Sequence, residues 1–320
     1  MTEDRKTRLW VIAFLAVIGV ILLAGVMMML GWRFGDLGTT KYERNLHEIK
    51  DAFEDISVVT DTADLILVPS DGDAIEVECY EQKNVTHTVS VKDGVLTIEV
   101  EDTRKWYEHI GIHFRTPKIT VRIPAGKYGA LSVSSATGDT SLPADFHFEN
   151  IDIAATTGDV DCRSSAAEGI RIKLTTGDID LENVTAGSLD LSVTTGEIEA
   201  SRITCIGDVR VKVSTGDTEL TEVTCGKLYS EGNTGDLSMR KLLADEIKIE
   251  RSTGDVEFAL CDAPSIDIMT DTGDVEGSLL TGKIFDAKSD TGRVRVPDSD
   301  PAGGWCKVRC DTGSIKITVA

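Results

Sequence analysis

A Thr-Gly pair recurs through the C-terminal half of the chain, with its glycine at Gly138, Gly158, Gly177, Gly196, Gly216, Gly235, Gly254, Gly273, Gly292 and Gly313. The intervals are 20, 19, 19, 20, 19, 19, 19, 19 and 21 residues. A beat near twenty is the mark of a repeat array, in which each unit buries its apolar edge only against its neighbours.

Aligned on the glycine, the copies read as columns. Two places on stand mostly apolar residues, as Val160, Ile179, Ile198 and Leu237; three places on, mostly charged ones, as Asp161, Asp180, Glu199, Glu219, Glu257 and Glu276. Four places on the column is mostly apolar again. Seven and five places before the glycine, pairs such as Ile151/Ile153 and Leu189/Leu191 show the same alternation. In–out–in is a half-buried strand. One coil is therefore a strand entering a corner, a strand leaving it and a short return. Val184, Ile203, Val223, Leu242, Cys261 and Leu280, seven after the glycine, mark a third inward contact. Stacked at about 4.8 Å, such coils make a rod with a continuous core. Glycine at the corner allows a positive φ, and the Asp or Glu that mostly follows it can bond the freed amides.

The expected fold is all-β: a single-stranded, right-handed-type β-solenoid of about ten coils over 129–320. An irregular β region or cap over 53–128 precedes it. Alternation such as Ile56/Val58, Leu65/Leu67 and Leu96/Ile98/Val100 supports strands there, and "DTRKWYEHIGIHFRTP" at 102–117 reads as a longer loop. Twenty-nine glycines with only 5% aromatics suit short strands and tight turns.

Residues 9–32 run for 24 positions without a charge, with Trp10 and Trp32 at the two ends. Such a helix spans roughly 36 Å, enough for a bilayer, and is too long for a signal-peptide core. The expectation is an uncleaved transmembrane anchor, with 1–8 as a cytoplasmic tail and 33–52 as a juxtamembrane linker. Basic residues flank both ends, but Arg5, Lys6 and Arg8 form the denser cluster. The C-terminal domain is therefore expected outside the cytoplasm, at the cell membrane.

The repeated "TTGDI"-type segments, the "FEDISVVTDTADLILVPSDGD" block, the "ITVRIPAGKYGALSVSSATGD" lead-in and the terminal "DTGSIKITVA" resemble the bacterial putative-adhesin family of β-strand-repeat proteins. The resemblance covers about 53–320. It implies an envelope-tethered β-solenoid of unknown function and brings no catalytic residue set with it.

Candidate sites are few. The net charge of −21 argues against nucleic acid, since a phosphate backbone would be repelled. The acids after the corner glycines form a ladder that could hold Ca²⁺, but the short repeats of calcium-binding solenoids are absent, so solvated turn capping is the expectation. Paired Asp161/Asp180 or Glu199/Glu219 on adjacent coils have the spacing of a retaining glycosidase pair, which makes a carbohydrate-active β-helix enzyme the alternative function. The seven cysteines sit in apolar or small-residue columns, and only Cys205 and Cys225 could approach bonding distance. His47, His87, His109, His113 and His147 read as ordinary loop residues. Of these, His109 and His113 are the one metal-like pair. The main expectation is non-enzymatic, without cofactor or metal. A rigid acidic surface meets a protein or glycan, with Trp106, Tyr107, His109 and Phe114 as a contact patch. The last strand, "IKITVA", leaves an edge open to end-to-end self-association.

Overall fold

The protein is described here by a computed structural model over residues 42–104 and 116–320. The anchor at 9–32 and the patch of Trp106, Tyr107, His109 and Phe114 lie outside the described residues, as does His113. Among those described, no helix is long and apolar enough to cross a membrane. One compact unit takes in 43–103 and 115–320.

The repeats stack as a β-solenoid in parallel register. Ile151 pairs with Leu131 below and Ile170 above, and the file continues through Leu189, Val209, Leu228, Ile247 and Ile266. All of these are buried. A second file beyond the corner runs Val160, Ile179, Ile198, Thr218, Leu237, Val256 and Val275. Like on like at strand spacing fills the interior without long side chains, which is why Val, Ile and Leu suffice.

The third inward contact holds for Val184, Ile203, Val223, Leu242 and Cys261 but not for Leu280, which is 44% exposed. The register shifts between Phe258 and Cys261, so Cys261 meets Leu279 and Leu279 is buried instead. A one-residue slip exchanges the faces of a strand. Between the second and third sides lies a further corner, six residues after the glycine. There Asn183, Arg202, Glu222, Lys241 and Leu260 hold φ of 52 to 57°.

Seven strands precede the first Thr-Gly coil or lead into it: β1 (Tyr42–Ile49), β2 (Asp55–Thr60), β3 (Asp64–Ser70), β4 (Ile75–Gln82), β5 (Val85–Lys92), β6 (Val95–Asp102) and β7 (Lys118–Pro124). The stack reaches into them. β2 and β3 form a coil with Ala63 and Asp64 at its corner, lying directly against the Gly138 coil. On its other side the coil meets β6 and β7 in parallel. Antiparallel β5 on β6 and β4 on β7, with β1 on β4, then close the end.

The C-terminal end closes by the same device. Successive repeats do not pile in sequence order there: the strand Trp305–Thr312 lies between Ser265–Thr272 and Ile284–Thr291. The last strand, Ile315–Val319, pairs along its length with Val275–Leu279 and on its other side with Val294 and Arg295 at Ile315 and Lys316. Strand β2 near one end and Trp305–Thr312 near the other each sit one layer in, with parallel partners on both sides. A terminal strand frays unless tied down. The outermost strand is Ile284–Thr291, which exposes Asp286, Lys288 and Asp290, and Ser299 Oγ accepts the Phe285 N–H at 3.1 Å. Charge on an edge strand discourages pairing with another chain.

Candidate functional site

The corner and the strand after it build an acidic surface. Glycine is required at the corner: Gly196 has φ +141°, and a Cβ there would lie 2.0 Å from the Gly177 carbonyl oxygen. The carboxylate after it bonds not its own turn but the next coil. Asp64 Oδ1 accepts from the Asp139 N–H (3.1 Å), Asp139 from Asp159 (2.9 Å), Asp159 from Asp178 (2.9 Å) and Asp178 from Glu197 (2.7 Å). Beyond Glu197 the ladder resumes from Asp217 to Asp236, Asp255 and Asp274, and Asp274 accepts from Ser314. Turn capping by Asp is thus an inter-coil bond. Ser314 Oγ in turn accepts from the Arg293 N–H at 3.5 Å, on the outermost coil.

The outward file of the next strand pairs Asp161 with Asp180, Asp180 with Glu199, Glu199 with Glu219, and, past Ser238, Glu257 with Glu276. Lys316 and Arg295 end it, and Lys316 is ion-paired to Glu276. Between corner and strand files lies a shallow concavity of about 320 Å³, lined in part by Glu197, Glu199, Asp217, Glu219, Asp236 and Glu257. Burial, then the like charges of Asp180, Glu219, Glu182 and Glu197, raise the Glu199 carboxyl above its ordinary range. Burial and Asp161 raise Asp180 in the same direction, against Arg163.

Beneath this face the interior holds a cation. Arg251 is 4% exposed and donates to Ser230 Oγ (3.0 Å) and Thr218 Oγ1 (3.3 Å). Its guanidinium fills the space over Gly232, where a Cβ would lie 1.5 Å away. Burial brings its pKa down to about 10, against the opposing pull of Asp217 and Asp236. The sequence carried a signal for this: Thr218, Ser230 and Gly232 break apolar columns within one turn of the rod.

The expected glycosidase pairs are lateral neighbours, but each belongs to a longer file of the same charge. All seven cysteines are buried free thiols, Cys205 and Cys225 included. His87 is not a loop residue: it stands on β5, 5% exposed, with both ring nitrogens engaged. His47 and His147 also stand on strands.

A family model described as Toastrack DUF4097 matches residues 53–205 and 202–320. A search of curated proteins finds no match. Similar solved structures include a putative adhesin from Bacteroides fragilis (16% identity over 88% of this chain and 98% of that one, TM-score 0.34). A putative lipid binding protein from Parabacteroides distasonis is 16% identical over 86% and 96%, with TM-score 0.44. A putative adhesin from Parabacteroides merdae is 12% identical over 88% and 98%, with TM-score 0.45.

Proposed function

Because the chain belongs to the Toastrack DUF4097 family, we propose that it is a non-enzymatic scaffold of the cell envelope. Residues 9–32 anchor it, the rod stands outside the cytoplasm, and the acidic face meets a protein or glycan carrying positive charge. The observation that carries this reading is the carboxylate file from Asp161 to Glu276, fixed at strand spacing by in-register pairing. A rigid surface loses little conformational freedom on binding, so charge complementarity is not spent on ordering it. The formal charge of −21 adds long-range attraction that salt screens.

Catalysis on this face is disfavoured by its uniformity. Glycoside cleavage sets one protonated acid against an ionised neighbour. Here Asp180 and Glu199 are pushed the same way rather than apart.

Chemical crosslinking on intact cells tests the reading with the full chain and with a Glu199→Lys/Glu219→Lys variant. Loss of the crosslinked species in the variant, with its melting temperature unchanged, supports it. Equal crosslinking by both chains would remove the acidic face from the function. Protease added to spheroplasts should trim the rod, and a protected rod would reverse the orientation.

A further inference from the structure

The N-terminal cap holds a cluster that the acidic face does not use. Cys79 and Glu81 point the same way from β4, two residues apart, and His87 faces them from β5. One ligand atom from each lies within 4.8 Å of the other two. All three side chains are buried, at 0%, 1% and 5% exposure. Glu81 Oε2 accepts from the His87 backbone N–H (2.7 Å) and from Nδ1 (2.8 Å), while Oε1 accepts from Asn45 Nδ2 (2.6 Å). His87 Nε2 stands 3.0 Å from Thr60 Oγ1.

We propose that Cys79, Glu81 and His87 form a binding site for one zinc-like divalent ion. The donor set carries the choice of metal. A thiolate, an imidazole and a carboxylate suit Zn²⁺, whereas Ca²⁺ and Mg²⁺ take oxygen ligands. Charge carries the choice of a cation at all: a divalent ion with one thiolate and one carboxylate sums to zero, so nothing buried is left uncompensated.

The surroundings are those of a metal site. A ligating histidine normally donates its other ring N–H to an oxygen, and a ligating carboxylate is itself hydrogen-bonded. Thr60 stands at Nε2 and Asn45 at the far oxygen of Glu81, so both outer partners are already in place. Binding takes the proton from the Cys79 thiol to solvent, and the proton of a neutral His87 passes from Nδ1 to Nε2, facing Thr60. The ion then replaces the Nδ1–H hydrogen bond to Oε2 and is held by Nδ1, Sγ and Oε2, with Nδ1 and Oε2 moving apart from 2.8 Å to admit it. Three protein ligands leave a fourth position for water.

The test uses the full chain in detergent, stripped with a chelator and titrated with Co²⁺ and Zn²⁺ in excess Ca²⁺, which occupies surface carboxylates. We expect one ion per chain, a melting temperature raised by several degrees, and a sulfur-to-cobalt charge-transfer band. Cys79→Ser should lose the band, while Cys162→Ser, equally buried but far along the rod, should keep it. Binding without the band would place the ion on surface acids, and a metal content near zero in the wild-type chain would dismiss the site. Both readings come from the wild type, so they stand even if Cys79→Ser fails to fold.

Discussion

Lys283 Nζ donates to Asp262 Oδ1 across 2.5 Å, with the lysine side chain 1% and the aspartate 16% exposed. The same ammonium reaches Thr281 Oγ1 at 2.8 Å and the Gly303 carbonyl at 2.5 Å, so three donors meet three acceptors. Asp262 ends the Gly254 coil, Lys283 leads into the outermost strand, and Gly303 lies on the crossover that returns the chain to its inner place. This contact therefore locks the intercalated C-terminus. Lys283→Met should cost about 3–5 kcal/mol, since it leaves a mostly buried carboxylate without its cation, with only the Thr281 hydroxyl at 3.2 Å, and removes the donor to the Gly303 carbonyl. Asp262→Asn in the same chain should recover part of the loss. Urea unfolding of the single and double variants checks both, and a loss under about 1 kcal/mol would show that the end is held elsewhere.

The corner ladder has one gap. Asp178 accepts the Glu197 amide, yet among the described residues no bond runs from the Asp217 amide to the Glu197 carboxylate. The extra methylene of glutamate carries its carboxylate past the amide that an aspartate meets. Glu197→Asp should therefore complete the ladder and stabilise the rod by about 0.5–1.5 kcal/mol. An unchanged urea midpoint would mean that solvated corner bonds add nothing over water.

The repeat was legible because a parallel stack imposes one residue class on each column, and Gly158, Ile179 or Glu199 can be assigned by counting. What escaped counting depends on contacts between columns. The carboxylate of Asp159 serves the amide of Asp178, which no single-column reading distinguishes from a bond to its own turn. Arg251 looks like a surface residue until its length is set against the absent side chain of Gly232. The interleaved ends are hidden for a different reason: strand pairing is non-local, and nothing in "GWCKVRCDTGS" states which coil it will join. His87 and Glu81 were passed over because they lie outside the repeat, where no column gives them a context.

Gly196→Ala tests the corner sterics. The added methyl would sit 2.0 Å from the Gly177 oxygen, and its φ of +141° is one that alanine avoids. Because the obstruction is backbone of the next coil, relief requires the stack to open. A loss above about 3 kcal/mol is expected. Gly72→Ala, where a Cβ meets nothing within 4 Å, should stay within about 0.5 kcal/mol. Similar effects at the two sites would show that coil spacing relaxes freely.

Buried thiols set the alkaline limit of the fold. Burial pushes Cys162, Cys225 and Cys306 up to about 12, from an ordinary value of 9.0. Each raised group favours folding fully below its unfolded value, and that contribution is lost as pH climbs toward the folded one, because the unfolded chain releases the proton first. Three such thiols remove about 4 kcal/mol by about pH 10, at roughly 1.4 kcal/mol per unit for each. Arg251 acts with the opposite sign, since its depressed pKa makes folding easier once the unfolded chain alone holds the proton, above about 10. The window between about pH 9 and pH 10 therefore reports the cysteines. Urea midpoints across it should fall steeply in the wild type, and Cys162→Ala should lower the slope by about one proton. A slope unchanged by that substitution would mean that the thiol reaches water in the folded rod, contrary to its place in the core file between Leu142 and Leu181.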